Sequence, residues 1–370
     1  MKPVNAQRRI FINAWGSMGD VAPFLVLGQG LAQAGAHVTV LSSGNFATAV
    51  ASAGLSFESV GTREAYESAL ADPALWDPER ADALIDNLFE QTTPQLRNCL
   101  TEAAGRGPVL FVAGTRGVRA REMLSDLKVP IMGVYLTPEI FGADRSDDKL
   151  GLFPTWFANT DANDPDAARM VGFVGRNDEP EDAGALVRLN EFLHSGPPPV
   201  AFTFGTAMKH GDRLFDMAKE ACRLLDCRAV FLSRFAEQIP AELEAARFLH
   251  LDYLPLRLLL PSVSALVFHG GVGTCAQALS AACPQVIVPM AHDQQANAAR
   301  VKALGVGEAV GGVNLDAKTL AGVLRATLDD SAIRDACHRY ASLMRAADGL
   351  HAAVDRIVAR FEQASAGAGT

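Results

Sequence analysis

The sequence predicts an α/β protein made of two Rossmann-like domains, each with a parallel, doubly wound sheet. Three observations carry that prediction. Short apolar runs alternate with helix-like segments from Arg9 to Val60, a β-α-β-α-β rhythm with short loops, as expected of parallel strands covered by helices. A second series of the same kind begins at Val200, beyond a zone rich in Pro, Gly and Asp. The 370 residues exceed one typical domain and suit two of about 180 each.

Arg9 to Ala14 reads as a buried strand, and Val21 to Gly35 as a helix begun near Pro23 and stopped by Gly35. His37 to Ser42 is the next strand, Phe46 to Ala53 a helix, and Leu55 to Val60 a strand again. Val109 to Ala113 and Ile131 to Tyr135 extend the same sheet. The intervening zone has Gly175 to Gly184 (GRNDEPEDAG) and Gly196-Pro197-Pro198-Pro199 on either side of a helix-like stretch, Ala185 to Ser195. Val200 to Phe204, Ala229 to Leu232, Ala265 to Phe268 and Val286 to Pro289 form the second series. Ile333 to Ala364 is strongly helical, and the small, polar tail Ser365 to Thr370 is expected to be disordered. The expected division is residues 1–178, a linker at 179–199, a second domain at 200–345 and a terminal segment at 346–370. Two such halves would face a cleft with the carboxyl ends of their strands, where ligands of these sheets bind.

Composition narrows the function. Hydrophobic residues make up 49% and charged residues 20% of the chain, enough to bury a large core. A formal net charge of −9 argues against a nucleic-acid partner, since a phosphate backbone needs a basic face. No apolar run reaches the ~18–20 residues of a membrane span. The start, MKPVNAQRRIFIN, carries no apolar targeting segment. Six cysteines are scattered without a CxxC pair or a His/Cys cluster, which reads as reduced thiols of a cytoplasmic protein and no metal site.

The most informative stretch runs from Phe268 to Gly307, FHGGVGTCAQALSAACPQVIVPMAHDQQANAARVKALGVG. A glycine-dense turn, His269-Gly270-Gly271-Val272-Gly273-Thr274, follows a strand and precedes a helix-permissive segment, Cys275 to Ala282. Glycines let backbone approach a ligand, and amides at a helix start point outward unpaired, so the turn is built to hold an anion such as phosphate. A further strand then delivers His292, Asp293 and Gln294 onto the next loop. Taken with Pro289, Asn297 and the Ala-Leu-Gly-Val-Gly run, this segment resembles the donor-binding signature of family 1 glycosyltransferases. Bacterial sterol and antibiotic glycosyltransferases, and the second-subunit rhamnosyltransferases of rhamnolipid synthesis, are its nearest likenesses. The resemblance implies the GT-B fold, with two Rossmann-like domains whose parallel sheets face across a cleft and a terminal helix crossing back onto the first.

Transfer from a nucleotide sugar needs a base for the acceptor hydroxyl and a cradle for the departing diphosphate. The loop Gly16-Ser17-Met18-Gly19-Asp20-Val21-Ala22-Pro23-Phe24 resembles the family's GSxGDVxPF loop, which makes Asp20 the candidate base. An Asp before a helix is also the usual cap, and the two roles are compatible. His37, at a strand start, is the weaker rival. His269, the Gly271 and Gly273 backbone, and the Thr274 hydroxyl form the cradle, with Thr206 on its opposite lip. The resemblance further implies that Tyr253 stacks on the nucleotide base while the Leu254 backbone reads its edge, and that Asp293 and Gln294 bind the transferred sugar. Gln277 replaces the Glu with which many relatives grip the ribose, and Leu256 replaces a frequent Gln, so both UDP and dTDP are admissible.

The expected activity is therefore an inverting, metal-independent hexosyltransferase using a UDP- or dTDP-sugar as co-substrate, with no cofactor and a small-molecule or lipid-like acceptor. A catalytically degenerate auxiliary and a nucleotide-sugar 2-epimerase are the competing readings. Relatives place a long helical insertion between Leu136-Thr137-Pro138 and Phe153-Pro154-Thr155-Trp156-Phe157. Here a short acidic segment stands in its place. Acceptor walls would then come from Ser17, Trp76, Phe89 and Trp156, or from a second chain in a homodimer or with a partner subunit.

Overall fold

A computed structural model of the chain describes residues 8–77, 79–175, 182–311 and 315–367. The chain divides into two compact units. Unit 1 comprises Met1–Asp72, Asp82–Asn177 and Asp348–Thr370, and unit 2 comprises Pro73–Ala81 and Asp178–Ala347.

Unit 1 holds β1 (Arg8–Asn13), β2 (Ala36–Ser42), β3 (Ser56–Ser59), β4 (Val109–Ala113), β5 (Ile131–Tyr135) and β6 (Lys149–Gly151). They pair in the order β3-β2-β1-β4-β5-β6, and every pairing is parallel. Unit 2 holds β7 (Val200–Thr203), β8 (Ala229–Leu232), β9 (Phe248–Leu251), β10 (Ala265–Phe268), β11 (Gln285–Ile287) and β12 (Gly307–Ala309). Their order, β12-β11-β10-β7-β8-β9, is again wholly parallel. Counted from its own first strand, unit 2 repeats the order of unit 1. Each sheet therefore reverses direction once, between β1 and β4 and between β7 and β10. Ligands of doubly wound sheets bind beyond the carboxyl strand ends at that reversal.

β4, β8 and β10 are apolar and buried at every residue, as expected of strands covered by helices on both faces. The nine expected strands lie close to where the sequence places them, whereas β6, β9 and β12 are not among them, and helix ends follow less closely. The first helix runs Met18–Gln33 and starts at its Ser17 cap, with Pro23 inside it. The strongly helical stretch Ile333 to Ala364 is two helices, Ser331–Ala346 and Gly349–Gly367, which part beside the expected boundary at 345. The second of these extends through Ser365 to Gly367, so that part of the expected disordered tail is helical; residues 368–370 lie outside the described part. The expected linker at 179–199 begins among the undescribed residues 176–181 and then contains the helix Ala183–His194.

The helix Gly349–Gly367 packs in unit 1 against the first helix. A Cβ on Gly30 would lie 2.8 Å from Val354 Cγ2, and Arg360 Nε and Nη2 donate to the Asp148 carboxylate at 2.7 and 2.8 Å. The acidic segment after Thr137 forms the sheet edge. It supplies β6 and a buried network in which the Tyr135 hydroxyl donates to Asp144 Oδ2 at 2.7 Å and Lys149 Nζ donates to Asp166 Oδ2 at 2.6 Å.

Candidate functional site

In unit 1 the turn after β1 folds onto itself. Asp20 is the third residue of the first helix, and its Oδ2 accepts from the Ser17 backbone N–H at 2.8 Å and from Ser17 Oγ at 2.9 Å. Ser17 Oγ in turn accepts from the Gly19 N–H at 3.2 Å, completing a reciprocal capping box. Gly16 has φ +127, and a Cβ there would sit 2.5 Å from Asp20 Oδ2, so only glycine permits the carboxylate to fold back. Asp20 is thus a helix cap in this structure. A carboxylate has about four acceptor sites, so capping does not by itself exclude a second role.

Sequence reading overlooked two neighbours of this loop. Burial first, and then the Asp20 charge, raise the Tyr66 hydroxyl above its ordinary range, which places Tyr66 within electrostatic reach of Asp20. Trp15, partly buried in the same turn, meets Phe89 edge-on with ring centroids 5.8 Å apart. Phe89 itself is 1% exposed within the core under the helix Ala81–Gly105. Its expected place in an acceptor wall is therefore corrected: it supports Trp15 from behind.

Ser17, Phe89 and Trp156 belong to unit 1, whereas Trp76 belongs to unit 2. There it packs on the unit's core and meets His292 edge-on at 5.8 Å. Trp156 lies in an aromatic group with Phe157 and Phe173, at centroid distances of 6.3 Å from each.

In unit 2 the turn after β10 is open where the first is closed. The helix Val272–Ser280 has Gly271 as its N-cap, a residue with no side chain to cap the first amides, and the Thr274 and Cys275 N–H groups donate to the Gly271 carbonyl at 3.0 Å. A helix start left this way offers several N–H groups and a partial positive charge to an anion. The His269 ring is wedged between two glycines. A Cβ on Gly271 would lie 2.7 Å from Nε2, and one on Gly205, which has φ +99, would lie 3.1 Å from it. The loop of Thr206, which is itself exposed, thereby meets the glycine turn through the imidazole. Burial, then the neighbouring His292, hold the His269 pKa at about 4, with the Thr203 backbone partly opposing them. Its Nδ1 is buried without a partner of full hydrogen-bond geometry. The ring is neutral at pH 7 and can donate through one nitrogen.

The loop after β11 joins the turn through Asn297, whose Nδ2 donates to the Gly270 carbonyl at 2.9 Å and to Asp293 Oδ2 at 2.7 Å. Asp293 is partly exposed beside the turn, as a sugar contact would require. Gln294 is not so placed. It is 3% exposed, and its Oε1 accepts from the Met290 and Ala291 amides at 2.8 and 3.0 Å, so its carbonyl holds the loop instead of facing a ligand. Thr274 occupies the first turn of the Val272–Ser280 helix, and Gln277 Nε2 donates to the Gly273 carbonyl at 3.4 Å. Tyr253 and Leu254 follow β9, Leu254 being 2% exposed. The Arg234 guanidinium, after β8, lies 4.8 Å over the Tyr253 ring, a cation–π contact that sequence reading also missed.

Among the described residues no group of three or more His, Cys, Asp or Glu side chains is placed to hold a metal ion, and no helix is long and apolar enough to cross a membrane.

Residues 236–359, which include the glycine turn, Tyr253 and Asp293, match the family described as erythromycin biosynthesis protein CIII-like, C-terminal domain. Glycosyltransferase GtfC of Amycolatopsis orientalis is 34% identical over 134 residues, 36% of this chain and 32% of that protein. Tylactone mycaminosyltransferase of Streptomyces fradiae is 33% identical over 161 residues, 41% of this chain and 33% of that protein. The chain thus spans about a third of the length of these curated relatives. The solved structure of spinosyn rhamnosyltransferase SpnG complexed with thymidine diphosphate superimposes with a TM-score of 0.70 at 16% identity, over 92% of this chain and 97% of that one. The two parallel six-stranded sheets with their helices are the GT-B fold of these glycosyltransferase structures.

Proposed function

We propose that the protein is an inverting, metal-independent glycosyltransferase that moves a hexose from a UDP- or dTDP-sugar to a hydroxyl of a small-molecule or lipid-like acceptor. The observation that carries this reading is the uncapped helix start at Gly271 with the His269 ring wedged against it. Neutral imidazole, backbone amides and the Thr274 and Thr206 hydroxyls offer donors to a diphosphate, so the helix start and His269 take the part a divalent ion would otherwise play. The relatives' names support sugar transfer, and the thymidine diphosphate in the rhamnosyltransferase structure supports dTDP beside UDP.

In this reading Tyr253 and the Leu254 backbone receive the base, Gln277 the ribose, and Asp293 accepts from hydroxyls of the sugar. Asp20 takes the acceptor's proton as that oxygen bonds to the anomeric carbon. The carbon–oxygen bond to the diphosphate breaks on the opposite face, and its electron pair leaves with the diphosphate. A general base of this kind contributes roughly 10²–10⁴-fold.

The test is a thermal-shift panel in the presence of a chelator. UDP or dTDP near 100 times its Kd should stabilise the folded protein by about 2.7 kcal/mol. A protein indifferent to both, or responsive only when metal is restored, would contradict the reading.

A further inference from the structure

Asn297 is a buried polar residue beside the glycine turn whose place the proposed chemistry does not explain. It is 0% exposed on the helix Gln294–Ala303. Asparagine is a poor choice for a helix interior, by roughly half a kcal/mol against alanine, so packing alone would favour an apolar residue. Its amide is nevertheless fully engaged. Both Nδ2 hydrogens are donated, one to the Gly270 carbonyl and one to Asp293 Oδ2, while Oδ1 accepts from Arg300 Nη1 at 3.2 Å. One side chain thus touches both the turn that would hold the diphosphate and the carboxylate that would hold the sugar.

The bond to Gly270 has a directional consequence. In a planar trans peptide the C=O and the following N–H point in opposite directions. Drawing the Gly270 carbonyl towards Asn297 therefore turns the Gly271 N–H away from the helix Gln294–Ala303. Gly270 itself has φ +98, and a Cβ there would lie 2.7 Å from Ile287 Cγ2 and 3.2 Å from the Gln294 carbonyl, so the turn already rests against this helix. The Arg300 bond polarises the amide and strengthens its donation to Asp293.

We propose, resting on the donor-site reading above, that Asn297 is a positioning residue. It fixes the orientation of the Gly271 amide and the distance from that amide to the Asp293 carboxylate, so that the diphosphate and sugar subsites form one rigid pair. The residue touches no substrate and acts through Gly270 and Asp293.

The experiment measures affinities of UDP, dTDP and their glucose and rhamnose derivatives by calorimetry, for wild type, Asn297→Leu, Asp293→Ala and the double variant. Asn297→Leu should weaken the bare nucleotide several-fold and the nucleotide sugar by about a further tenfold, the scale of one bond to a charged group. In the Asp293→Ala background the sugar-dependent loss from Asn297→Leu should vanish, because the two act as one unit. Asn297→Asp keeps the shape but sets a carboxylate against Asp293 and the Gly270 carbonyl. Its affinity should recover as pH falls and the new carboxyl gains a proton to donate, and it decides the matter if the leucine variant does not fold. Additive losses, or affinities within twofold of wild type in variants that melt normally, would overturn the proposal while leaving the donor reading intact. Failure of wild type to bind any nucleotide would overturn both.

Discussion

The turn after β1 and the turn after β10 each border the reversal of their own sheet, and each feeds a glycine-containing loop into a helix. The first closes its helix start with its own Ser17 and Asp20 side chains. The second leaves its start without a side-chain cap and sets the His269 ring beside it. Capping satisfies amides internally and holds a carboxylate in place, while an open start keeps amides for a ligand. One topology thus yields a turn suited to presenting a base and another suited to receiving an anion.

That contrast is sharpest in turnover. Asp20→Asn should reduce sugar transfer by at least ~10²-fold while nucleotide affinity stays near wild type, as read by steady-state rates beside calorimetry. Near-normal turnover would make Asp20 a cap alone. On the other side, His269→Ala should weaken UDP or dTDP binding by about 1–3 kcal/mol, the scale of one lost phosphate contact, and should leave the Asp20 turn intact. Unchanged nucleotide affinity would remove the imidazole from the anion site.

The same imidazole gives a pH signature. Its pKa in the folded protein is held at about 4, below the ordinary 6.5, so the unfolded chain takes up the proton first as pH falls. Its contribution to stability is present above pH 6.5 and declines as pH falls towards 4. His269→Ala should flatten that part of a melting-temperature profile, and an unaltered slope would contradict the assignment. The smallest effect is expected at the closed turn. Ser17→Ala should lower stability by about 1 kcal/mol, the usual worth of an N-cap, with little change in nucleotide binding.

Much of this was legible in the residues. β4, β8 and β10 fall where continuous apolar runs place them, because a strand covered on both faces has no polar side to disguise it. The glycine turn was readable because its chemistry is local, with glycine, histidine and threonine adjacent in sequence. The helix Ala81–Gly105 was missed: Pro94 lies inside it and argues for a break, although Phe89, Leu96, Leu100 and Ala103 bury one face at helical spacing. β6 and β12 have three residues each, too few for a pattern. Nothing in the sequence tells whether Trp76 and Phe89 line a site or fill a core. Only tertiary packing places Trp76 against His292 in unit 2 and Phe89 behind Trp15. Asn297 stood out by its spacing, but its bonds to Gly270 and Asp293 belong to the folded helix.

The most direct test of the contrast is amide hydrogen exchange with and without saturating UDP or dTDP, in the presence of a chelator. The account predicts new protection at residues 270–275, around the open helix start, and none at residues 16–21, where the cap already holds the amides. Protection confined to residues 16–21, or none at 270–275 under saturating nucleotide, would contradict it.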